Sequence, residues 1–193
     1  MLAYVVCSPM LFLIFRVKAA GRDNLPEGGV LLCANHSAYI DPLFVGFLVF
    51  PQYNPRFVAK AELRDVPVLG WILERLGLIF LHRGKSDLKA VKEILSCLKR
   101  GEKVLLFPEG TRIRGDAYGM AKTGAAMMAL HAKVPLQPVY IPSRKRIFRR
   151  NEVIFGEPYR PQPPAGRRPA QEDYEEIAAD LMERIRALEP KEG

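Results

Sequence analysis

Cysteine is scarce in this chain. Cys7, Cys33 and Cys97 are an odd number without C-x-x-C spacing, which excludes a disulfide framework and a thiolate zinc site and fits a reducing compartment. Long apolar runs are also missing. The longest, residues 1–15, would reach ~22 Å as a helix, short of the ~30 Å hydrocarbon core of a bilayer. Its positive charges, Arg16 and Lys18, follow the run rather than precede it, the reverse of a secretory signal. No G-x-S-x-G or G-x-G-x-x-G occurs, and Gly84-Lys85-Ser86 has Ile79 where a P-loop needs its first Gly. Those gaps set aside lipase, dinucleotide-dependent dehydrogenase and P-loop NTPase chemistry. No internal repeat is present.

What the chain does have is a core and an uneven charge. Its 193 residues are 49% hydrophobic and 26% charged, proportions of one ordinary globular domain. Lys plus Arg number 29 against 21 Asp plus Glu, and residues 51–150 hold 20 basic and 8 acidic side chains. A basic middle suits an anionic partner: a phosphorylated small molecule, an acidic carrier protein, an anionic lipid surface or nucleic acid. The apolar N-terminus reads as a helix dipping into one leaflet, with Arg16, Lys18 and Arg22 at the anionic cytoplasmic face, or else as a core-packed or frayed terminal helix.

The patterning predicts strands at residues 17–20, 30–34, 56–59, 78–81, 103–107, 136–141 and 153–155. Helices are predicted at 43–50, 67–76, 86–100, 122–132 and 174–188. Asp41-Pro42 reads as an N-cap followed by a first-turn proline. The helix at 86–100 is expected to bury Leu88, Val91, Leu95 and Leu98, and residues 158–169 form a proline-rich strap. The alternation predicts a single layered α/β domain, a central mixed, largely parallel sheet flanked by helices, preceded by an apolar N-terminal helix.

Two clusters carry chemistry. His36 and Asp41 lie across a strand end and a helix start, in Asn35-His36-Ser37-Ala38-Tyr39-Ile40-Asp41. An Asp bonded to one ring nitrogen fixes the tautomer and stabilises the imidazolium, leaving the other nitrogen as a base. Phe107-Pro108-Glu109-Gly110-Thr111-Arg112 follows a strand directly, offering backbone amides, a hydroxyl and a guanidinium that can pair with phosphate oxygens. Arg83 ends another strand, and Lys60 is a further phosphate candidate. His82 and His131 read as structural.

These segments resemble the glycerolipid acyltransferases, particularly the bacterial-type 1-acylglycerol-3-phosphate (lysophosphatidate) acyltransferases. Asn35-His36 with Asp41 is similar to the family's NHxxxxD block, Gly77 to Arg83 to its second block, Phe107 to Arg112 to its FPEGTR block, and Val134 to Val139 to its proline-containing fourth block. Ala38 departs from the pattern where a second Ser is common, as does His82 before Arg83. The resemblance implies a membrane-associating helix at 1–15, an acyltransferase domain at 16–193, and a protein at the cytoplasmic face of the cell membrane, peripheral or monotopic. It implies His36 as general base with Asp41 as its partner, and Arg83, Glu109, Gly110, Thr111, Arg112 and Lys60 as the acceptor-binding set. It further implies a lysophospholipid acceptor, acyl-CoA or acyl carrier protein as donor, and no metal or resident cofactor. Other acceptors, another lysolipid or an acylated amino acid, stay open.

Two rivals are weighed. The basic run Arg144, Lys145, Arg146, Arg149 and Arg150 could mark a nucleic-acid binder, but it reads equally as a membrane-facing rim and no reading module accompanies it; no nucleic-acid partner is expected. A covalent acyl-enzyme would need Cys33 or Ser37. Cys33 lies three residues before His36, so strand alternation sends the two to opposite faces, and Ser37 is poorly placed beside the base. Cys33→Ala and Ser37→Ala are each expected to keep substantial turnover, with no adduct from donor alone; an acylated protein in intact-mass spectra, lost in either variant, would contradict this.

Overall fold

The computed structural model describes residues 9, 11–50, 52–82, 87–113 and 118–190. Its strands are β1 (Val17–Ala20), β2 (Val30–Ala34), β3 (Arg56–Lys60), β4 (Ile79–Leu81), β5 (Lys103–Leu106), β6 (Leu136–Tyr140) and β7 (Asn151–Phe155). Its helices are α1 (Asp41–Val49), α2 (Leu69–Arg75), α3 (Leu88–Lys99), α4 (Gly124–Ala132) and α5 (Gln171–Ala187). One sheet runs in the order β1-β7-β6-β2-β5-β3-β4. All neighbours pair parallel except β6 with β7, so β1 and β7 run against the other five strands.

β2 shows why the layers form. All five of its residues are apolar and buried, a pattern that is stable only where both sheet faces are covered. Leu31 and Cys33 pack with Ile94, Leu98, Met128 and Leu181, from α3, α4 and α5. Val30, Leu32 and Ala34 point the other way, onto Phe44, Val45 and Val49 of α1. Each buried Leu of this strand stabilises the fold by about 1.5–3 kcal/mol.

This layering creates the crevice. The loop after β2 leads to α1 on one face, and the loop after β5 leads to α4 on the other. Adjacent parallel strands whose connections leave to opposite faces open a gap at their C-terminal ends, where open α/β sheets bind ligands.

The strands lie where the pattern places them, within about two residues at either end, as such boundaries usually do. The helices differ more. Asp41 is not an N-cap: it is the first residue of α1, Ile40 precedes it, and its carboxylate turns back to the amides of Ser37 and Ala38. A 3-10 segment, Ala61–Asp65, stands before a shorter α2. In α3 the buried row is Ala90, Ile94, Cys97 and Leu98, while Leu88 is exposed. Ala90, Ile94, Cys97 and Leu98 share one core cluster with Leu31, Cys33 and Val104 of the sheet, and Leu88 lies off that face. Of the expected N-terminal apolar helix, Pro9 and residues 11–13 are helical. Residues 1–8 and 10 lie outside the described residues.

Asn35 ties the end of β2 to the end of β6, on the side of β2 away from β5. Its side-chain amide donates to the Ile141 carbonyl and its oxygen accepts the Ile141 N–H, both at 2.8 Å and both buried. It therefore continues the β2–β6 pairing past the end of the ladder. Asn35→Ala leaves two buried backbone groups without partners, each worth about 1–3 kcal/mol. We expect it to lower the denaturant midpoint by the equivalent of about 2 kcal/mol or more, with the slope unchanged, measured by urea unfolding.

Candidate functional site

The His36 ring is placed by two neighbours and its backbone by a third element. Its Nδ1 lies 3.0 Å from Asp41 Oδ2, and its face stacks on Phe107 with centroids 4.0 Å apart. Its backbone is gripped on both sides by the loop after β5: the His36 N–H donates to Glu109 Oε2 at 2.9 Å, and the His36 carbonyl accepts the Ile113 N–H at 2.8 Å. The two sequence clusters are thus one assembly.

Asp41 is fully buried, so its charge has to be met inside the protein. The Ser37 and Ala38 amides donate to Oδ2 at 2.7 and 2.8 Å alongside the His36 ring. Oδ1 faces the Lys145 ammonium at 2.6 Å. Burial pushes the carboxyl pKa up, but the His36 bond, the Lys145 charge and the Ala38 amide outweigh it, and the group sits below the ordinary Asp value. Asp41 is therefore ionised at neutral pH. Its folded-state pKa lies below an unfolded value near ~3.9, so its stabilisation is present above about pH 4 and is lost as pH falls through the folded value.

An ionised Asp41 accepts a hydrogen bond from the Nδ1–H of His36, which leaves Nε2 as the basic nitrogen of the ring. Phe107 and the crevice walls keep His36 largely from water; its side chain is 12% exposed. This is the constellation of a general base that removes a proton from a bound hydroxyl.

Glu109 is buried and its two oxygens are engaged by the His36 and Gly119 amides. Burial, offset in part by those amides, raises its pKa. The contacts make it a scaffold group holding the base. Gly110 adopts φ 68°, and a Cβ there would meet the Lys122 side chain at 2.8 Å, so the turn that aims the next two residues needs glycine. Thr111 and Arg112 are exposed at the rim, with the Arg112 guanidinium 3.4 Å over the Tyr39 ring. Lys60, at the end of β3 on the same sheet edge, pairs with Glu62 at 3.1 Å. Arg83 lies outside the described residues.

Spacing alone did not single out this His–Asp pair. His82 and Asp87 repeat it, with Nδ1 2.9 Å from Oδ2. There the imidazole is 66% exposed and Asp87 caps α3 through the Ala90 amide, which is a structural role. The group that sequence reasoning missed is Lys145, submerged among four other basic residues in residues 144–150. No feature of that run separates it. Only the fold brings its ammonium to Asp41 Oδ1 and to Ser37 Oγ, at 2.6 and 2.5 Å. Burial lowers its pKa, with Asp41 acting in the opposite sense. Cys33 is fully buried on the opposite sheet face and burial pushes its thiol pKa far up, which removes the thiolate that a nucleophile requires.

Residues 16–142 match the Acyltransferase family, and the chain belongs to that family. It is 34% identical over 132 residues to the lyso-ornithine lipid O-acyltransferase of Pseudomonas aeruginosa, covering 68% of this chain and 49% of that protein. It is 30% identical over 181 residues to the 1-acyl-sn-glycerol-3-phosphate acyltransferase of Bacillus subtilis, covering 91% and 89%. The crystal structure of the 1-acyl-sn-glycerophosphate acyltransferase PlsC from Thermotoga maritima superposes with a TM-score of 0.61 at 28% identity, over 91% of this chain and 74% of that one. The chain spans about half the length of several curated relatives it matches and nearly all of the Bacillus one.

Removing one partner of a buried ion pair costs about 3–5 kcal/mol because the other charge is stranded. Lys145→Met is therefore expected to destabilise the fold and to leave Asp41's charge undivided on the imidazole. Turnover by the folded fraction should fall about tenfold or more, and the acid limb of the pH–rate profile should move to higher pH while both KM values hold. Lys145→Arg should restore much of both. A profile of unchanged shape in Lys145→Met would reduce Lys145 to a stability contact.

Proposed function

We propose that this chain transfers a fatty acyl group from acyl-CoA or acyl carrier protein to the sn-2 hydroxyl of 1-acylglycerol-3-phosphate, giving phosphatidic acid. The observation that carries the reading is the buried, fourfold-compensated Asp41 on Nδ1 of His36. It makes a base of the ring's other nitrogen beside a loop bearing Arg112. Family membership and the activities named for the Bacillus and Thermotoga relatives support it.

In this mechanism His36 takes the hydroxyl proton as the oxygen attacks the thioester carbonyl. The imidazolium, stabilised by Asp41, returns the proton to the leaving thiolate. General-base help is worth about 10² to 10⁴ in rate. Thr111 and Arg112, with Arg83 and Lys60, hold the phosphate, and a phosphate anchored at one end keeps the hydroxyl near the base. Glu109 and Gly110 shape that loop. Either donor suits the basic surface, through CoA phosphates or an acidic carrier protein.

We place the protein at the membrane surface, on the cytoplasmic face, peripheral or monotopic, with residues 1–15 as an associating helix and residues 16–193 as the catalytic domain. Among the described residues no helix is long and apolar enough to cross a bilayer, and the acceptor is itself a lipid. A second reading is an acceptor built on an acylated amino acid, favoured by the 34% identity to the lyso-ornithine lipid enzyme. Arg112 suits either, since a guanidinium pairs with the carboxylate of an acylated amino acid as well as with a phosphate, so the rate with each acceptor separates the two.

Thiol release from acyl-CoA should depend on added lysophosphatidic acid and should be faster with it than with lyso-ornithine lipid. His36→Ala should lower kcat by about 10² or more while the acceptor still binds. Arg112→Ala removes a charge-assisted contact worth roughly 1.5–3 kcal/mol, so acceptor KM should rise about 10-fold to 150-fold. Donor KM should barely move. A rise in thioester KM with the acceptor untouched would exchange the two substrates' positions.

A further inference from the structure

The turn between β6 and β7 carries Lys145 inward and two large apolar side chains outward. Ile147 is 60% exposed and Phe148 70%. Around them stand Arg144, Arg146, Arg149 and Arg150, all exposed, with Arg150 paired to Glu152 and the tip left with a basic excess. An apolar tip ringed by guanidinium groups is costly in water and has no role in the core.

The tip is built and held. Asn151 is buried; its side-chain oxygen accepts the Arg146 N–H, and its amide faces the carbonyls of Phe15, Arg146 and Arg149. The Phe148 N–H donates to the Ile14 carbonyl at 2.6 Å. Phe148 takes φ 56°, a left-handed conformation that a bulky residue seldom adopts. These bonds join the tip to Ile14 and Phe15, directly after the helical residues 11–13, where Phe12 and Leu13 are also exposed, at 62% and 65%. Arg16 and Lys18 follow there, both exposed.

Topology sets this surface beside the site. β6 runs parallel to β2, so it ends at the edge where His36 stands. β7 starts back from that edge, and β1, parallel to β7, begins there too. A second exposed apolar stretch, around Val68 and Trp71 of α2, has balanced charges, with Arg64 paired to Glu74 and Lys60 to Glu62. Nothing there selects an anionic surface.

We infer that residues 144–150, with the helical residues 11–13, dock on an anionic bilayer, Ile147 and Phe148 entering the acyl layer while the arginines around them meet lipid phosphates. Basic residues at such a surface attract anionic lipid, and aromatic and aliphatic side chains between them anchor at the headgroup boundary. Docked this way, the protein turns the β2–β5 crevice toward the leaflet that holds the acceptor. The inference rests on the membrane placement proposed above and names the surface that makes it.

The test is co-sedimentation of the full chain with vesicles of phosphatidylcholine alone or mixed with phosphatidylglycerol. The wild type should pellet with the mixed vesicles and far less with the neutral ones. Arg146→Gln with Arg149→Gln should weaken that binding roughly fivefold for each arginine. Ile147→Ser with Phe148→Asn should weaken it about tenfold or more. Asn accepts the left-handed conformation at 148, so the thermal transition and turnover on a water-soluble short-chain acceptor should hold. In a Trp71→Phe background, which removes the only native tryptophan, Phe148→Trp should shift its emission to the blue on mixed vesicles. Unchanged sedimentation in both double variants overturns the inference. So does a lipid-free dimer that the apolar variant abolishes, which would assign the tip to a second copy of the chain. A higher KM for the monomeric short-chain acceptor in the apolar variant would assign it to the substrate's alkyl chain instead. If the wild type pellets with mixed vesicles yet shows no acceptor-dependent thiol release, the proposed activity fails while the docking surface stands.

Discussion

The buried carboxylate of Asp41 is the constraint on which the rest of the site depends. A charge with no exposed surface costs several kcal/mol unless it is met by donors. Here one oxygen takes the His36 ring and two amides, and the other takes an ammonium. Satisfying it requires the turn at residues 36–41 to curl around the carboxylate. It also requires the β6–β7 turn to lean over it and α1 to start at Asp41 itself. The local fold of three segments is thus tied to one charge, and that charge sets the tautomer of the candidate base.

The remaining supports act on the backbone of His36 rather than on its ring. Glu109 and Ile113 hold its N–H and carbonyl, and Asn35 extends the β2–β6 ladder immediately before it. A ring supported in this way keeps its orientation when substrate enters, and a base gains from that because positioning is a large share of the barrier it lowers. The FPEGTR-like loop accordingly divides its labour. Its Glu braces the base, its Gly turns the chain, and its Thr and Arg reach the rim.

The contrast between the two His–Asp pairs shows what spacing can and cannot say. His36 with Asp41 and His82 with Asp87 have the same separation and nearly the same contact distance. One carboxylate is buried under a lysine from a distant turn; the other caps a helix beside an exposed imidazole. Burial and the third partner make the chemical difference, and both arise from packing across the sheet.

Much of this protein was legible in its sequence. The seven strands and the layered α/β class follow from apolar runs and turn residues, because β2 and its neighbours are buried and, apart from Lys103 and Gln137, apolar or weakly polar. His36, Asp41 and the loop at 107–112 were marked by residue type and by their places at strand ends, and local chemistry restricts which residues work there. The register of α3 was not legible, since packing of Ala90, Ile94 and Cys97 into the core decides it and Leu88 looked as apolar as any residue it buries. Nor was Glu109's grip on His36, which spans 73 residues, nor Asn35's bond to Ile141. Lys145 was hidden most completely: five basic side chains lie within seven residues, and only the antiparallel return of β7 on β6 turns one of them inward to Asp41 while Ile147 and Phe148 face outward. Local pattern therefore determined the elements and the reactive types, whereas pairing between distant strands decided which charge is buried, because desolvation is a property of the assembled layers and not of any segment alone.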